Sequence, residues 1–301
     1  MRGLLTKPLR TSREKRMIVD SHQHFWQVGR FDYPWMSPEV DVLCHDYLPQ
    51  TLEPVLRRNG VDHTILVQAS NSLAETRWLL SLAEGNAFIA GVVGWVDLQS
   101  SEVARQLDEF TAHPKFKGVR HLVESEPADD WLIQDNVLNG LRQLSSIGLS
   151  YDLLVHTRHL KHAKRIADEC PDLFLVIDHL AKPPVISGES DDWARELKEI
   201  ASHPNVWCKL SGLVTEANLT NWRVEDLRPY VDQALECFGP ARMMFGSDWP
   251  VCLLAASYDQ VLESFETLLA GVAENDKRRM FSESAIEFYR IEDEEIWSAA
   301  A

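Results

Sequence analysis

Two regimes of hydrophobic patterning alternate along this chain. Short runs of β-branched, aromatic and aliphatic residues are separated by longer stretches whose apolar residues recur at helical spacing. The short runs read as buried strands and the longer stretches as amphipathic helices. Eight strand candidates follow in order: MIVDS (17–21), HTILVQ (63–68), AFIAGVVGWV (87–96), FKGVRHL (116–122), SYDLLV (150–155), LFLVID (173–178), NVWCKLS (205–211) and RMMFGSD (242–248). Helical periodicity fills most of the gaps, in LAETRWLLSLAEG, SEVARQLDEFTAH, DNVLNGLRQLSSIG, RHLKHAKRIADEC, DDWARELKEIAS and VEDLRPYVDQALECFG. Gly85, Gly148 and Gly239 follow such helices and are expected to take the left-handed conformation that ends them. Strands that are apolar on both faces and joined by helices form parallel sheets. Eight βα repeats in 301 residues, with no compositional break to mark a linker, predict a single (β/α)8 TIM barrel rather than a doubly wound sheet. Residues 25–51, rich in Trp, Tyr, Pro and Asp, are too long for an ordinary βα connection and are expected to lie over the barrel mouth as a lid or substrate loop.

Composition narrows the function classes. A 45% hydrophobic content supports a sizeable core. With 30 basic against 46 acidic residues and a net charge of -16, a nucleic-acid partner is not expected, because neutralising phosphates needs a basic face. A small neutral substrate or a cation suits the chain better. Five scattered cysteines without a CxxC pair indicate neither a disulfide framework nor a zinc ribbon, and point to the reducing cytoplasm. No apolar run approaches the ~18 residues of a membrane span. Residues 1–16 hold six basic residues and one acidic residue without a continuous apolar core. They read as a flexible basic extension before a barrel domain over 17–301, with Met17 as an alternative start and a transit segment as the minority reading.

The candidate chemistry begins with DSHQHFW at 20–26. Strand alternation places Ile18, Asp20, His22 and His24 on one face. In the first strand that face is the lumen, with His22 and His24 at the C-terminal end where such barrels carry their active sites. Two imidazoles there suit a divalent metal or a polarised carbonyl, although an HxH pair alone is equally well a hydrogen-bonded turn. Partners occur at two more strand ends: His179 follows Asp178 after the sixth, and Asp248 closes the eighth within GSDWP. Singly, His179 could bond a carbonyl and Asp248 could cap the turn before Pro250; jointly they form a coherent polar cluster. Arg120, at the end of the fourth strand, is placed to bond a substrate oxygen through its planar fork, with a rim salt bridge as the alternative. Lys182 is a similar candidate. Trp26, Trp95 and Trp249, with Trp35 in the long loop, offer faces for sugar C–H surfaces, with plain packing as the alternative. His121 and His156 read as packing residues, and neither Ser21 nor Ser247 sits in a GxSxG elbow.

Taken together, VDSHQHFWQ, DYPWM, FKGVRHL, YDLLV, VIDHLAKPP, CKLSGL and MMFGSDWPVC resemble the amidohydrolase-related (amidohydrolase 2) TIM-barrel hydrolases, in the group containing L-fuconolactonase, L-rhamnonolactonase and the pyrone-dicarboxylate lactonases. The resemblance runs over about residues 17–289. It implies that Asp248 takes the proton from an attacking water. It implies that His22, His24 and His179, with Asp248, hold one divalent metal, zinc foremost, or polarise the lactone carbonyl without metal. Members with two metals use a lysine or glutamate on strand four and a histidine on strand five; here those strands offer Arg120-His121 and Tyr151-Asp152, so a binuclear centre is not implied. The expected reaction is hydrolysis of a lactone. A dicarboxylate lactone would call for several converging arginines, whereas Arg120 stands nearly alone, with Arg30 and Arg158 as reservations, so a neutral sugar-derived lactone is favoured. The alternatives are a nonhydrolytic decarboxylase on the same barrel and an inactive barrel that serves as a binding module. Homo-oligomerisation is left open.

Overall fold

Each of the eight apolar runs becomes a strand in the computed structural model, which describes residues 16–37 and 39–292. The strands are β1 (Val19–Gln23), β2 (His63–Val67), β3 (Ile89–Gly94), β4 (Phe116–His121), β5 (Ser150–Leu153), β6 (Leu175–Ile177), β7 (Val206–Leu210) and β8 (Met243–Phe245). They pair in parallel in sequence order. Beyond the end of β8 the ring is joined to β1 by backbone bonds: His24 N–H donates to the Trp249 carbonyl (2.7 Å) and Asp248 N–H to the His22 carbonyl (2.8 Å). The architecture is a single (β/α)8 barrel, as the alternation of patterns implies.

The connecting helices are α1 (Pro49–Asn59), α2 (Leu73–Gly85), α3 (Val103–Thr111), α4 (Asp135–Ser146), α5 (Leu160–Glu169), α6 (Asp191–Ala201), the short α7 (Leu213–Glu216) and α8 (Val224–Phe238). Three more follow β8: α9 (Tyr258–Leu268), α10 (Glu274–Arg278) and α11 (Ser284–Tyr289). The pattern does not single out α1, which opens on Pro49, where a missing N–H costs nothing, and ends on the left-handed Gly60 (φ 67°). Of the glycines expected to end helices, Gly148 has the positive φ, Gly239 combines a positive φ with an extended ψ, and Gly85 stays in the last turn of α2.

The apolar residues separate into two clusters. A large one lies between strands and surrounding helices and includes Leu66, Val119, Ile177 and Phe245. A smaller one includes Val19, Val67, Val176, Trp207 and Met244 and is completed by Phe288 and Tyr289 of α11. Those last side chains pack against strand residues of the lumen, so the open space, and with it the chemistry, lies at the C-terminal strand ends.

Strand alternation fails in β1. Its register against β2 shifts between Asp20 and Gln23. Ile18 therefore joins the outer core and Asp20 accepts a bond from Tyr258 of α9 (2.9 Å), while His22 and His24 turn toward the other strand ends. The four residues do not share one face, because a bulge breaks the period of two.

Arg16 is the only described residue of the expected 1–16 extension. Its guanidinium pairs with Glu266 (2.8 Å) and lies 4.0 Å from the Phe281 ring centre. Residues 1–15 and 293–301 lie outside the described residues. Among the described residues no helix is long and apolar enough to cross a membrane, and all five cysteines are free.

Candidate active site

His24 follows β1, and its Nδ1 lies 2.8 Å from the Val67 carbonyl. A carbonyl only accepts, so Nδ1 carries the proton and the Nε2 lone pair faces inward. His22 Nε2 lies 3.1 Å from that atom. His179 arrives after β6, with its Nδ1 at 2.8 Å from Ser211 Oγ. Asp248 follows β8, and its Oδ1 is 3.4 Å from His24 Nε2, 3.8 Å from His22 Nε2 and 3.9 Å from His179 Nε2. The four residues named from three separate stretches of sequence thus meet at one point.

Electrostatics fixes their states. Burial pushes all three imidazoles below their ordinary value, His22 furthest, against the opposing pull of Asp178 on His22 and of Asp248 on His24 and His179. Burial would raise Asp248, but the three histidines around it outweigh that and hold it well below the usual carboxylate range. The donor atoms of His22, His24 and Asp248 lie within 4.8 Å of one another. Imidazole nitrogens and a carboxylate oxygen that converge on one point are a donor set that a cation satisfies. The donor set therefore fits one divalent metal of the zinc type, with His179 beside it.

A buried charge network, which strand patterning had not brought to notice, supports His22 from beneath. Lys209 of β7 is fully buried; its Nζ lies 2.5 Å from Asp152 Oδ2, 3.0 Å from Asp178 Oδ1 and 3.1 Å from His22 Nδ1. Arg120 of β4 donates from one nitrogen to Asp178 (3.2 Å) and from the other to the Gln68 carbonyl. Tyr289 donates to Asp152 at 2.8 Å. Burial pushes Asp152 up to about 6 against the pull of Lys209. Burial would raise Asp178 too, but Lys209, His22 and Arg120 together hold it well below the usual range. Two cations and two carboxylates form an arrangement that only mutual pairing makes tolerable inside a protein. The signal in the sequence was the lysine itself, set within the apolar run VWCKL, since a buried ammonium requires buried acids.

Backbone strain is concentrated here. His179, Leu180, Ala181 and Lys182 are all left-handed, with φ of 53°, 54°, 59° and 51°, and Asp248 has φ 58°. For residues with a Cβ this costs roughly 1–2 kcal/mol each, and it is held by the burial of Leu180 and Ala181 and by Trp193 Nε1–H donating to the Leu180 carbonyl (2.7 Å). The turn presents His179 to Asp248 and Lys182 to the mouth. Two glycines make room: a Cβ on Gly212 would lie 2.5 Å from His179 Nδ1, and one on Gly246 would lie 2.7 Å from His22 Cβ.

Above the cluster lies a cavity of about 250 Å³. His24, Arg120, His179, Lys182 and Asp248 line it, together with Glu124 and Glu216, which the sequence did not bring forward; His22 is sealed beneath. The long first loop forms one wall through Trp35, Ser37, Val40 and Leu43, and the Trp26–Tyr47 backbone pairing fastens its base. The three tryptophans expected at the substrate are instead packing residues outside the lining. Trp26 is fully buried and donates to the Leu43 (3.1 Å) and His45 (2.9 Å) carbonyls. Trp95 donates to His121 Nδ1 (3.0 Å), and Trp249 packs against Phe25 and Tyr47. Trp35 is the aromatic that reaches the cavity, its indole held by the Ala69 carbonyl (2.7 Å). Aromatic neighbours are plentiful around the loop, and sequence position alone does not separate the one that faces the ligand from those that hold the loop.

Histidines and an aspartate gathered at the C-terminal ends of a parallel barrel, around an ionised carboxylate and a small cavity, define a barrel hydrolase. The amidohydrolase family model matches residues 19–291, and the chain belongs to that family. It is 41% identical to an L-fucono-1,5-lactonase of Burkholderia ambifaria over 281 residues, covering 91% of this chain and 96% of the relative. A second L-fucono-1,5-lactonase, from Burkholderia multivorans, is 42% identical over 258 residues, with 82% and 87% covered. Among solved structures, an amidohydrolase from Burkholderia multivorans with bound zinc superposes with a TM-score of 0.88 at 36% identity, over 92% of this chain and 100% of the other.

Proposed function

We propose that the chain hydrolyses the lactone ring of a neutral, sugar-derived aldonolactone to the open hydroxy acid. One observation carries this reading: Asp248 is held ionised by the three imidazoles around it at the floor of a cavity sized for a single small ring. Similarity to two L-fucono-1,5-lactonases over most of the chain supports the substrate class. The cations in the cavity lining are both engaged, Arg120 with Asp178 and Lys182 with Glu124, so neither is free for a substrate carboxylate. A neutral lactone follows from that pairing.

Water attacks the ring carbonyl as Asp248 accepts one of its protons. A carboxylate held so far down is a weak base, so the proton moves as the C–O bond forms and the water turns acidic. The guanidinium of Arg120, which borders the cavity while paired to Asp178, supplies positive potential toward the charge that develops on the carbonyl oxygen. The ring C–O bond then breaks, and the proton on Asp248 passes to the departing alkoxide, which completes the hydroxy acid. His22, His24 and Asp248, with His179 alongside, would hold a divalent ion that supplies Lewis-acid polarisation of the carbonyl and acidification of water. An ester-like ring suits this single acid–base group better than an unstrained amide. Decarboxylation and a purely binding role gain no specific observation. The five free cysteines suit the reducing cytoplasm, where we place the protein.

The test is a panel of aldonolactones followed with a pH indicator. Proton release above the spontaneous rate, lost in Asp248→Asn, is expected; evolved carbon dioxide, or no release from any aldonolactone, would overturn the reading.

A further inference from the structure

The charged groups of the cavity are paired off with one exception. Arg120 is bound to Asp178, Lys182 to Glu124, and Asp248 sits among its histidines. Glu216, the last residue of α7, also lines the cavity, and among the described residues its carboxylate has no hydrogen bond and no ion pair. Burial and the nearby charges of Glu124 and Asp248 push its carboxyl upward, only partly opposed by Lys182. Half-buried in the wall, Glu216 keeps its carboxylate open to the cavity, where a ligand hydroxyl can reach it. Its position is tied to the catalytic cluster, because Gly212 (φ 67°), which precedes α7 as its N-cap, packs on the His179 ring. The neighbouring Thr215 hydroxyl donates to the Gly212 carbonyl (2.7 Å), and Glu216 is the charged acceptor of this wall.

We propose that Glu216 is the specificity-determining residue of the cavity: its carboxylate accepts hydrogen bonds from neighbouring hydroxyls of the lactone ring, and its charge excludes rings that carry a carboxylate. This rests on the reading of the site as a sugar lactonase. Two adjacent hydroxyls are paired donors, and a carboxylate has acceptor sites for both. The same charge, close to Glu124 and Asp248, disfavours a carboxylate in the cavity, so it also hastens departure of the hydroxy acid product once that ionises.

The experiment compares a hydroxylated six-carbon 1,5-lactone with δ-valerolactone, the same ring without hydroxyls, on the full chain and on Glu216→Ala and Glu216→Gln. In E216A, kcat/KM for the hydroxylated ring should fall at least tenfold relative to that for δ-valerolactone, chiefly through KM, in line with the roughly 10- to 100-fold weight of hydrogen bonds to a charged group. E216Q, which keeps one acceptor and loses the charge, should lie between, and the aldonate product should inhibit it more strongly than the unaltered protein. A smaller relative change, or equal losses on both rings, overturns the proposal. Calorimetric titration with the corresponding pyranose, a non-reacting ring with the same hydroxyls, reads recognition without turnover. The unaltered chain should bind it at least tenfold more tightly than E216A, and equal or absent binding overturns the proposal. If both lactones prove inert while that contrast in pyranose binding holds, the hydrolysis reading fails and the role of Glu216 stands.

Discussion

Gly212→Ala separates the strain at this site from its stability. A Cβ at position 212 would meet His179 Nδ1 at 2.5 Å, where ordinary contact starts at 3.4 Å, so the imidazole must yield by about 0.9 Å. That ring is positioned by its bond to Ser211 and lies 3.9 Å from Asp248, the proposed base. A displacement near 1 Å at a reacting centre costs on the order of a hundredfold in rate. The left-handed backbone at 212 adds about 1–2 kcal/mol of strain for a residue with a Cβ, equivalent to a melting point lower by about 2–4 °C per kcal/mol. Gly148→Ala supplies the control: it has the same sign of φ (74°) but nothing within 4 Å of the added carbon. Both variants should melt a few degrees lower, while only G212A should lose about a hundredfold in kcat for lactone hydrolysis. If G212A keeps its activity within a few-fold, or G148A loses as much, His179 placement is not what Gly212 provides.

Lys209→Met removes the ammonium shared by Asp152 and Asp178 and should cost about 3–5 kcal/mol in denaturant unfolding at pH 7. Asp178 is held below its unfolded value near 3.8, so the stability it contributes is complete above that pH and is lost as pH falls through the still lower folded value. Asp152, at about 6 in the fold, takes up its proton first. Without the ammonium both carboxylates titrate higher than in the unaltered protein, so the gap should narrow as pH falls, the Asp152 share closing by about pH 6 and the Asp178 share continuing below it, and a gap that is constant with pH would contradict the pairing. Zinc uptake after dialysis should approach about one ion per chain and drop at least tenfold in affinity for His24→Asn, read by elemental analysis; equal uptake by both would place the metal elsewhere.

The barrel was legible because a parallel strand buried on both faces leaves an unmistakable apolar run, and all eight runs hold strands. Helix α1 leaves little pattern in the sequence because PQTLEPVLRRN carries two prolines and directly follows an aromatic loop, so its periodicity is short. His22, His24, His179 and Asp248 were legible through their positions at strand ends, since barrel topology carries those ends to one mouth. The partners of His22 were less so. Lys209, Asp152 and Asp178 lie on three strands, and their pairing depends on register across the ring, which no local pattern records. The bulge in β1 shows the same limit on a smaller scale: alternation alone puts Asp20 beside His22, whereas the register shift turns it toward Tyr258. Trp26 was misplaced because an indole buried against loop carbonyls and one facing a ligand look alike in sequence.

Ring opening in ¹⁸O-labelled water bears most directly on the assigned chemistry. An aldonolactone such as L-fucono-1,5-lactone is turned over by the unaltered chain and by Asp248→Asn, and the product is read by mass spectrometry. The expected result is one labelled oxygen in the product carboxylate, formed well above the spontaneous rate, with a loss of about 10²- to 10⁴-fold in D248N. Label on the ring hydroxyl carbon, or turnover that is indifferent to D248N, would contradict attack at the carbonyl with Asp248 as its base.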